Sequence, residues 1–573
     1  MSDYQPRPGD IRFILKDVLG APAFLQGLSA YAEVDGELMD QVLEESAKFV
    51  GEVVAPLQRI GDAVGARHTT ESGTGKVTMP PGFRDAYQSF WQSGWPALAC
   101  ATEDGGQGLP AVLEATLYEM LSAANHGWTM APGLLHGAYE CIKHHASAAL
   151  KAQYLEKVAT GEWLATMCLT EAHAGSDLGA VRTRAVPQAD GSYALSGTKI
   201  FISGGEHDLA DNIVHLVLAR LPDAPPGPKG LSLFLVPKFY ADGSRSAVHC
   251  DRIEEKMGLH GSPTCVMRFD EARGWIVGEA GRGLNAMFVM MNAARLHVAL
   301  QGIGLLDAAW QKADAYAQER RQMRAPGKSK SAGASDRIAE HPAMRRILDT
   351  QRAWVDCGRV LAYNTAVELD LIKHHADAAR RAQAQRWCAL VTPVLKAAFT
   401  QQAFYGASEC LQVLGGHGYV REWGMEQIVR DSRVAMIYEG TNEIQAIDLL
   451  VRKVLTDGGD GLFALLEDLR MHPPATAQAD AAVQQRFTQL RGLTEALVRA
   501  TQSQPTLAYE VADDYLRLVA MALLGWAGAR IASTLAGREA AETVRWKQPL
   551  QALQRWVLPE FEMRLGIITA QLP

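Results

Sequence analysis

Apolar residues early in the chain recur at helical spacing: Leu38, Val42, Phe49, Val53 and Val54 fall where one face of a helix would put them. That patterning runs over roughly 11–161, with breaks at Pro80-Pro81-Gly82 and Asp104-Gly105-Gly106. Around Leu164 the period changes. Short runs rich in β-branched and aromatic residues follow at 193–195, 199–202, 213–218, 231–236 and 264–269, separated by turns such as Asp190-Gly191 and Pro225-Pro226-Gly227. Strands so spaced, with no helices between them, predict a compact antiparallel sandwich or barrel. Met167-Cys168 reads as the end of a helix entering that region. After Gly281-Arg282-Gly283 helical patterning resumes to about Leu455, and Asp457-Gly458-Gly459-Asp460-Gly461 precedes a last Ala/Leu-rich helical region. The pattern predicts an α+β, mostly α chain in four parts: an N-terminal helical domain over 1–162, a middle antiparallel β domain over 163–282, a helical bundle domain over 283–456 and a C-terminal helical extension over 457–573. The segment 324–335, with Pro326-Gly327-Lys328-Ser329, reads as an exposed basic loop favouring disorder.

Length supports several domains, because 573 residues exceed what one core organises. A hydrophobic share of 48% with 21% charged residues describes an ordinary soluble globular chain. Its net charge of -8, from 56 basic and 64 acidic residues, argues against a nucleic-acid binder, and no basic stripe is present. The start, Met1-Ser2-Asp3-Tyr4-Gln5-Pro6, has no signal-peptide pattern. The longest uncharged apolar run, 518–529, is too short for a bilayer, so no membrane span is expected. Eight cysteines form no CxxC pair, and the Lys-His-His triplets ending at His145 and His375 read as solvated helix faces; no metal site is expected. These features suit a reduced, cytoplasmic protein.

Three stretches carry candidate chemistry. In Met167-Cys168-Leu169-Thr170-Glu171-Ala172-His173-Ala174-Gly175-Ser176-Asp177, the hydroxyls of Thr170 and Ser176 and the loop N–H groups can meet the polar edge of a heterocycle, or a phosphate. Phe201-Ile202-Ser203-Gly204-Gly205 adds a flat ring beside another hydroxyl, the mixture an isoalloxazine needs. Gly278-Glu279-Ala280-Gly281-Arg282-Gly283 has no βαβ setting, so a Rossmann reading fails. In Ile437-Tyr438-Glu439-Gly440-Thr441-Asn442-Glu443, a carboxylate between an aromatic and a glycine suits a proton abstractor in a dry cleft. The same stretch also reads as a turn in which Glu443 helps to cap the next helix.

Together the domain order and the motifs Thr170-Glu171-x-x-Ala174-Gly175-Ser176-Asp177, Gln412-x-x-Gly415-Gly416-x-Gly418-Tyr419 and Tyr438-Glu439-Gly440-Thr441 resemble the acyl-CoA dehydrogenases, over roughly residues 35–455. The opening Tyr4-x-Pro6 and Ile11-Arg12-Phe13-Ile14-Leu15, the loop after Arg321 and the tail resemble a longer subgroup, that of the 3-methylmercaptopropionyl-CoA dehydrogenases. The resemblance implies an N-terminal helical domain, a middle β domain, a four-helix bundle and FAD as cofactor. It implies α,β-dehydrogenation of an acyl-CoA to the 2-enoyl-CoA, with Glu439 taking the α proton and flavin N5 accepting hydride. Thr170, Ser176, Phe201 and Ser203 would meet the flavin, Ser176 also the thioester; the family often has Trp and Thr at the Phe201 and Ser203 positions. Arg320 would reach the pyrophosphate of FAD in a neighbouring subunit, Gln412 and Gly416 its adenine end, and Thr441 the adenosine half. A homodimer or dimer of dimers follows. For acyl-CoA the implied contacts are Asn292, Arg295, Ser176, Tyr438 and Gly440; the family often has Asp where Asn292 stands. Ala294, the base position in a minority of the family, cannot abstract a proton. Electron-transfer flavoprotein is the implied acceptor. Rival readings are an oxygen-using acyl-CoA oxidase and a non-catalytic scaffold that retains the fold.

Overall fold

The computed structural model describes residues 4–70, 73, 75–327, 335–471 and 477–573, with the side chains of 292, 477–479 and 540 outside the description. Most of the basic loop over 324–335 therefore lies outside the described residues. Contacts between Cα atoms divide the chain into two compact units: Met1–Lys48, Ala115–Ala124 and Val298–Pro573 in one, Phe49–Glu114 and Asn125–His297 in the other.

The second unit holds all the described strands. A small antiparallel hairpin, β1 (Arg67–Thr69) with β2 (Lys76–Thr78), interrupts the helical N-terminal region. The main sheet comprises β3 (Leu164–Cys168), β4 (Arg184–Pro187), β5 (Tyr193–Ser203), β6 (Ile213–Arg220), β7 (Leu231–Pro237), β8 (Val248–Ile253) and β9 (Thr264–Val277). Its path runs β3-β6-β4-β5-β9-β7, β8 pairs with β9, and a β6–β7 pairing returns the path to β6. The sheet closes on itself. Closure explains why β6 and β7 read as continuous apolar runs: Leu216 pairs with Leu235 and Val217 with Phe234, and all four are buried.

Most pairs are antiparallel, as the turn spacing predicts, but β3 and β4 each pair with β6 in parallel. The reason is topological: β4 and β5 intervene in sequence, so the chain returns to β3 in the same direction. The reading of Met167-Cys168 as a helix end is corrected. Helix Ala148–Ala159 stops short of it, and β3 carries Met167 and Cys168. A run of only five residues, Leu164 to Cys168, fits either element, and pairing to Ile213–Val217 decides it for a strand.

The first unit is helical. Its longest elements are Pro342–His374, Ala378–Leu414 and the distal part of Gly283–Glu319, joined by Met425–Arg433. Gly304 lets helices approach closely, since a Cβ there would lie 2.4 Å from the Glu119 carbonyl oxygen. The C-terminal extension packs into this body: helix Ala512–Leu535 is buried from Tyr515 to Ala529, with Trp526 5.8 Å from Trp387. By length and hydropathy that helix passes for a membrane span, but 72% of its apolar window is buried in protein.

A buried ion lattice ties the ends of the chain to the bundle. Arg352 donates to Asp307 (2.7 Å) and Asp10 (2.6 Å) and faces Asp356 at 3.1 Å. Arg359 donates to Glu119 (2.8 Å) and Asp307 (3.0 Å), and Tyr363 completes Glu119 at 2.5 Å. From the extension, Arg545 reaches both Asp356 (2.5 and 2.8 Å) and Asp10 (3.0 Å). Such charges are tolerable only because each is paired and hydrogen-bonded. The N-terminal segment and the extension thereby share one set of carboxylates and guanidiniums.

Candidate active site

In the β-containing unit, the Thr170 motif is built around its carboxylate. Glu171 accepts from the Thr183 N–H (2.9 Å) and O–H (2.6 Å), the Arg182 N–H (2.8 Å) and the Lys199 ammonium (2.9 Å). Lys199 is fully buried and also donates to the Leu169 carbonyl at 2.9 Å. Burial alone would raise the Glu171 pKa, but the Lys199 charge and the Thr183 and Arg182 donors hold it down at about 2. Burial draws Lys199 in the opposite sense, downward, against the pull of Glu171. With four donors converging on the carboxylate, the ionised pair is the resting state. Glu171 is therefore a clamp. It fixes the tight turn Glu171–Ala174, closed by reciprocal 3.0 Å backbone bonds, and leaves Ser176 exposed just beyond.

The clamp also sets Thr170 beside β5, because the Ile200 N–H donates to the Thr170 carbonyl at 2.9 Å. The β5–β9 register slips between Lys199 and Ile202, and within that bulge Phe201 adopts φ +59° with 60% of its surface exposed. A left-handed Phe costs about 1–3 kcal/mol, and exposing its ring forfeits burial as well. Bulges re-aim side chains, and here the result is a bare aromatic face between Thr170 and Ser203, which pairs with Thr264. A flat apolar wall with flanking hydroxyls fits a planar heterocycle such as flavin. Arg295 is buried on helix Gly283–Glu319, and the side chain of Asn292 lies outside the described residues.

In the helical unit, Glu439 sits at a second strained turn. Its φ is +55° and that of Gly440 is +84°. A Cβ at Gly440 would lie 2.7 Å from the Gln445 side-chain nitrogen, so glycine is required for space as well as conformation. Gln445 Nε2 donates to the Glu439 carbonyl (3.0 Å), Lys396 Nζ to the Gly440 carbonyl (2.6 Å) and Asn442 Oδ1 (3.0 Å), and Tyr438 O–H to Gln301 (2.6 Å). Burial, with the Glu439 charge adding to it, pushes the Tyr438 phenol far up, so it stays neutral and donating. Thr441, not Glu443, supplies the cap of helix Asn442–Ile447: its Oγ1 accepts from the Ile444 N–H at 3.3 Å. Its own O–H remains a donor for a ligand.

Arg320 and the glycine-rich segment come together in this unit. Tyr316, one turn before Arg320, bonds His417 Nδ1 at 2.9 Å, and His417 lies 4.5 Å from the Trp423 ring. The Gln412 carbonyl accepts from the Gly415 N–H, which opens the turn that presents Gly416. Arg320, Gln412 and Gly416 are all exposed.

Sequence reasoning missed Lys396, Gln445 and Gln301, which hold the Glu439 turn. Lys396 had a signal, a lone cation within Val394-Leu395-Lys396-Ala397-Ala398, where only a buried partner allows it. Among the described residues no cluster could hold a metal ion.

The closed sheet carries an exposed aromatic wall in one unit, and the helical unit carries a strained glutamate turn. The family description "Acyl-CoA dehydrogenase, N-terminal domain" matches residues 40–162, "middle domain" 166–272 and "C-terminal domain" 281–454, more than half of the chain in total. The chain belongs to the acyl-CoA dehydrogenase family. It is similar to a 3-methylmercaptopropionyl-CoA dehydrogenase of Ruegeria pomeroyi, 42% identical over 91% of this chain and 90% of the relative. A butyryl-CoA dehydrogenase of Syntrophomonas wolfei is 34% identical over 91% and 88%, and the broad-specificity linear acyl-CoA dehydrogenase FadE5 of Mycobacterium tuberculosis 32% over 92% and 89%. Among solved structures, Caenorhabditis elegans ACDH-11 in complex with C11-CoA shares the fold at TM-score 0.76 and 20% identity, covering 97% of this chain and 93% of that one. A Bacillus anthracis acyl-CoA dehydrogenase complexed with FAD gives TM-score 0.76 at 20% identity, over 93% and 88%.

Proposed function

We propose that Glu439 is the general base of this FAD-dependent acyl-CoA dehydrogenase, and that its substrate is 3-methylmercaptopropionyl-CoA or another short or medium acyl-CoA. One observation carries the assignment of the base: a non-glycine residue at φ +55° in a turn that Lys396, Gln445 and Gln301 hold through Gly440, Glu439 and Tyr438. Strain kept in place by several independent bonds is a feature of preorganised sites.

In this reading Glu439 removes the α proton of the thioester. The Glu439 N–H is the donor for the thioester oxygen as enolate charge develops, a contribution of about 2.7–4 kcal/mol for such donors. Lys396 and Gln445 keep that N–H in position by fixing the two carbonyls that follow it. Tyr438, locked to Gln301, helps to exclude water from the reacting groups. FAD, when bound, supplies the acceptor for the hydrogen that leaves the β carbon. Thr170, Ser176, Phe201 and Ser203 would hold its ring, Arg320, Gln412, Gly416 and Thr441 its nucleotide half, and Arg295, Asn292 and Gly440 the acyl-CoA. Support for a chain that acts as a homodimer or dimer of dimers is the exposure of Arg320, Gln412 and Gly416. We assign electron-transfer flavoprotein as acceptor and the cytoplasm as location.

Anaerobic flavin bleaching against a panel of acyl-CoA thioesters, including 3-methylmercaptopropionyl-CoA, tests the substrate. Rapid bleaching by that thioester alone supports the specific reading, and faster bleaching by straight-chain thioesters overturns it. Stoichiometric hydrogen peroxide without an added acceptor would replace electron-transfer flavoprotein with oxygen.

A further inference from the structure

We infer that the C-terminal extension completes a binding groove for a planar organic phosphate, a nucleotide in chemical class, separate from the residues assigned to catalysis. The groove, about 460 Å³, lies wholly in the helical unit. One wall is the start of helix Pro342–His374, with Arg345, Arg346 and Asp349; the other is Gln548 and Gln551, with Arg555 and Trp556 from the π-helical turn Leu553–Val557.

Three guanidiniums face one carboxylate there. Arg345 is ion-paired with Asp349 and, at 3.7 Å, with Asp314, and is pinned further by Gln548 at 3.2 Å. Arg346 and Arg555 are exposed and are the guanidiniums that a ligand in the groove would meet, on a chain of net charge -8. The positive end of the helix beginning at Pro342 adds to them, since His341 supplies no side-chain cap. Phosphate is the anion that two arginines and a helix start suit best.

The aromatic half of the argument is Trp556. It is 49% exposed, and the Arg346 guanidinium lies 4.2 Å from its ring centroid. The remaining exposed face of such a tryptophan offers a platform on which a base can stack. The π-helical turn, one of several among the described residues, sets the direction of the residues it carries. It carries Arg555 and Trp556 outward while Leu553 and Val557 stay buried. A volume of this size takes a nucleotide, and the side-chain amides of Gln548 and Gln551 can pair with the edge of a base.

Calorimetry on the full-length FAD-loaded enzyme, with ADP, inorganic pyrophosphate and adenosine as probes, tests the groove. ADP is expected to bind and the other two more weakly. The double variant Arg346→Met/Arg555→Met should lose affinity for ADP about tenfold or more. Trp556→Leu should weaken ADP but not pyrophosphate. Circular dichroism and unchanged flavin reduction confirm that the variants fold. ADP binding equal in wild type and both variants would overturn the groove; pyrophosphate binding as tightly as ADP would overturn its aromatic half. A raised KM for acyl-CoA in the double variant identifies the nucleotide as that of the substrate, and an unchanged KM identifies a separate one.

Discussion

Two motifs of this chain each present a glutamate after a small polar or aromatic residue, and the fold uses them in opposite ways. Glu171 is buried under four donors, one of them an ammonium with no exposed surface, so its charge is spent on holding a loop. At the Glu439 turn the backbone itself is held: Gln445 and Lys396 take the carbonyls of Glu439 and Gly440 and fix the turn that carries the side chain. A carboxylate saturated by donors is a poor base, because its pKa is driven down and a proton must compete with every donor. Fixing the backbone of the Glu439 turn sets where its side chain stands. The same residue type is a clamp in one unit and a candidate base in the other.

The largest effect that separates the two is catalytic. Glu439→Gln should lower anaerobic flavin reduction by acyl-CoA by about 10²–10⁴-fold with the thermal transition unchanged, as stopped-flow and calorimetry would show. Near-normal reduction would erase the contrast. Glu171→Gln should do the reverse in kind: it leaves Lys199 buried without its counter-charge, at a cost of about 3–5 kcal/mol in chemical denaturation. Any loss of activity should follow loss of bound FAD, read from the flavin absorbance of the folded fraction.

Acid sharpens the comparison. The folded-state pKa of Glu171, about 2, lies below the usual carboxylate value of 4.5, so between those limits the unfolded chain binds the extra proton. The contribution of Glu171, up to about 3 kcal/mol, is complete above pH 4.5 and is lost as pH falls toward 2. The stability gap between wild type and Glu171→Gln should accordingly narrow below pH 4.5; a constant gap would mean that Glu171 acts by shape alone.

A smaller effect is expected at Lys396→Met, which frees the Gly440 carbonyl. It should slow flavin reduction by about tenfold, in line with about 1.5–3 kcal/mol for a charged hydrogen bond, while acyl-CoA affinity in titration changes little. Smallest is Phe201→Gly. It relieves a strained backbone position yet removes the aromatic wall, so FAD affinity should fall modestly while the apoprotein is as stable or slightly more so.

Much of this contrast was legible in the sequence, but not all. The helix-to-strand change near Leu164, the return of helical periodicity after Gly283 and the Tyr438-Glu439-Gly440-Thr441 run are local patterns and read directly. The helix reading of Met167-Cys168 fails because a run of five residues, Thr166 among them, is too short to fix a period, and the partner strand β6 lies about fifty residues on. Thr441 rather than Glu443 as the helix cap turns on a single side-chain rotamer.

By itself the sequence determined the element types, the order helical–β–helical and the identity of the residues that can do acid–base work, because periodicity and side-chain chemistry are local properties. Only the tertiary structure decided which partners each glutamate turn receives. Lys199 is 28 residues from Glu171, Lys396 is 44 from Gly440 and Gln301 is 137 from Tyr438. Partners so distant in sequence meet only through packing, and the protonation behaviour of a carboxylate depends on its partners rather than on its neighbours along the chain.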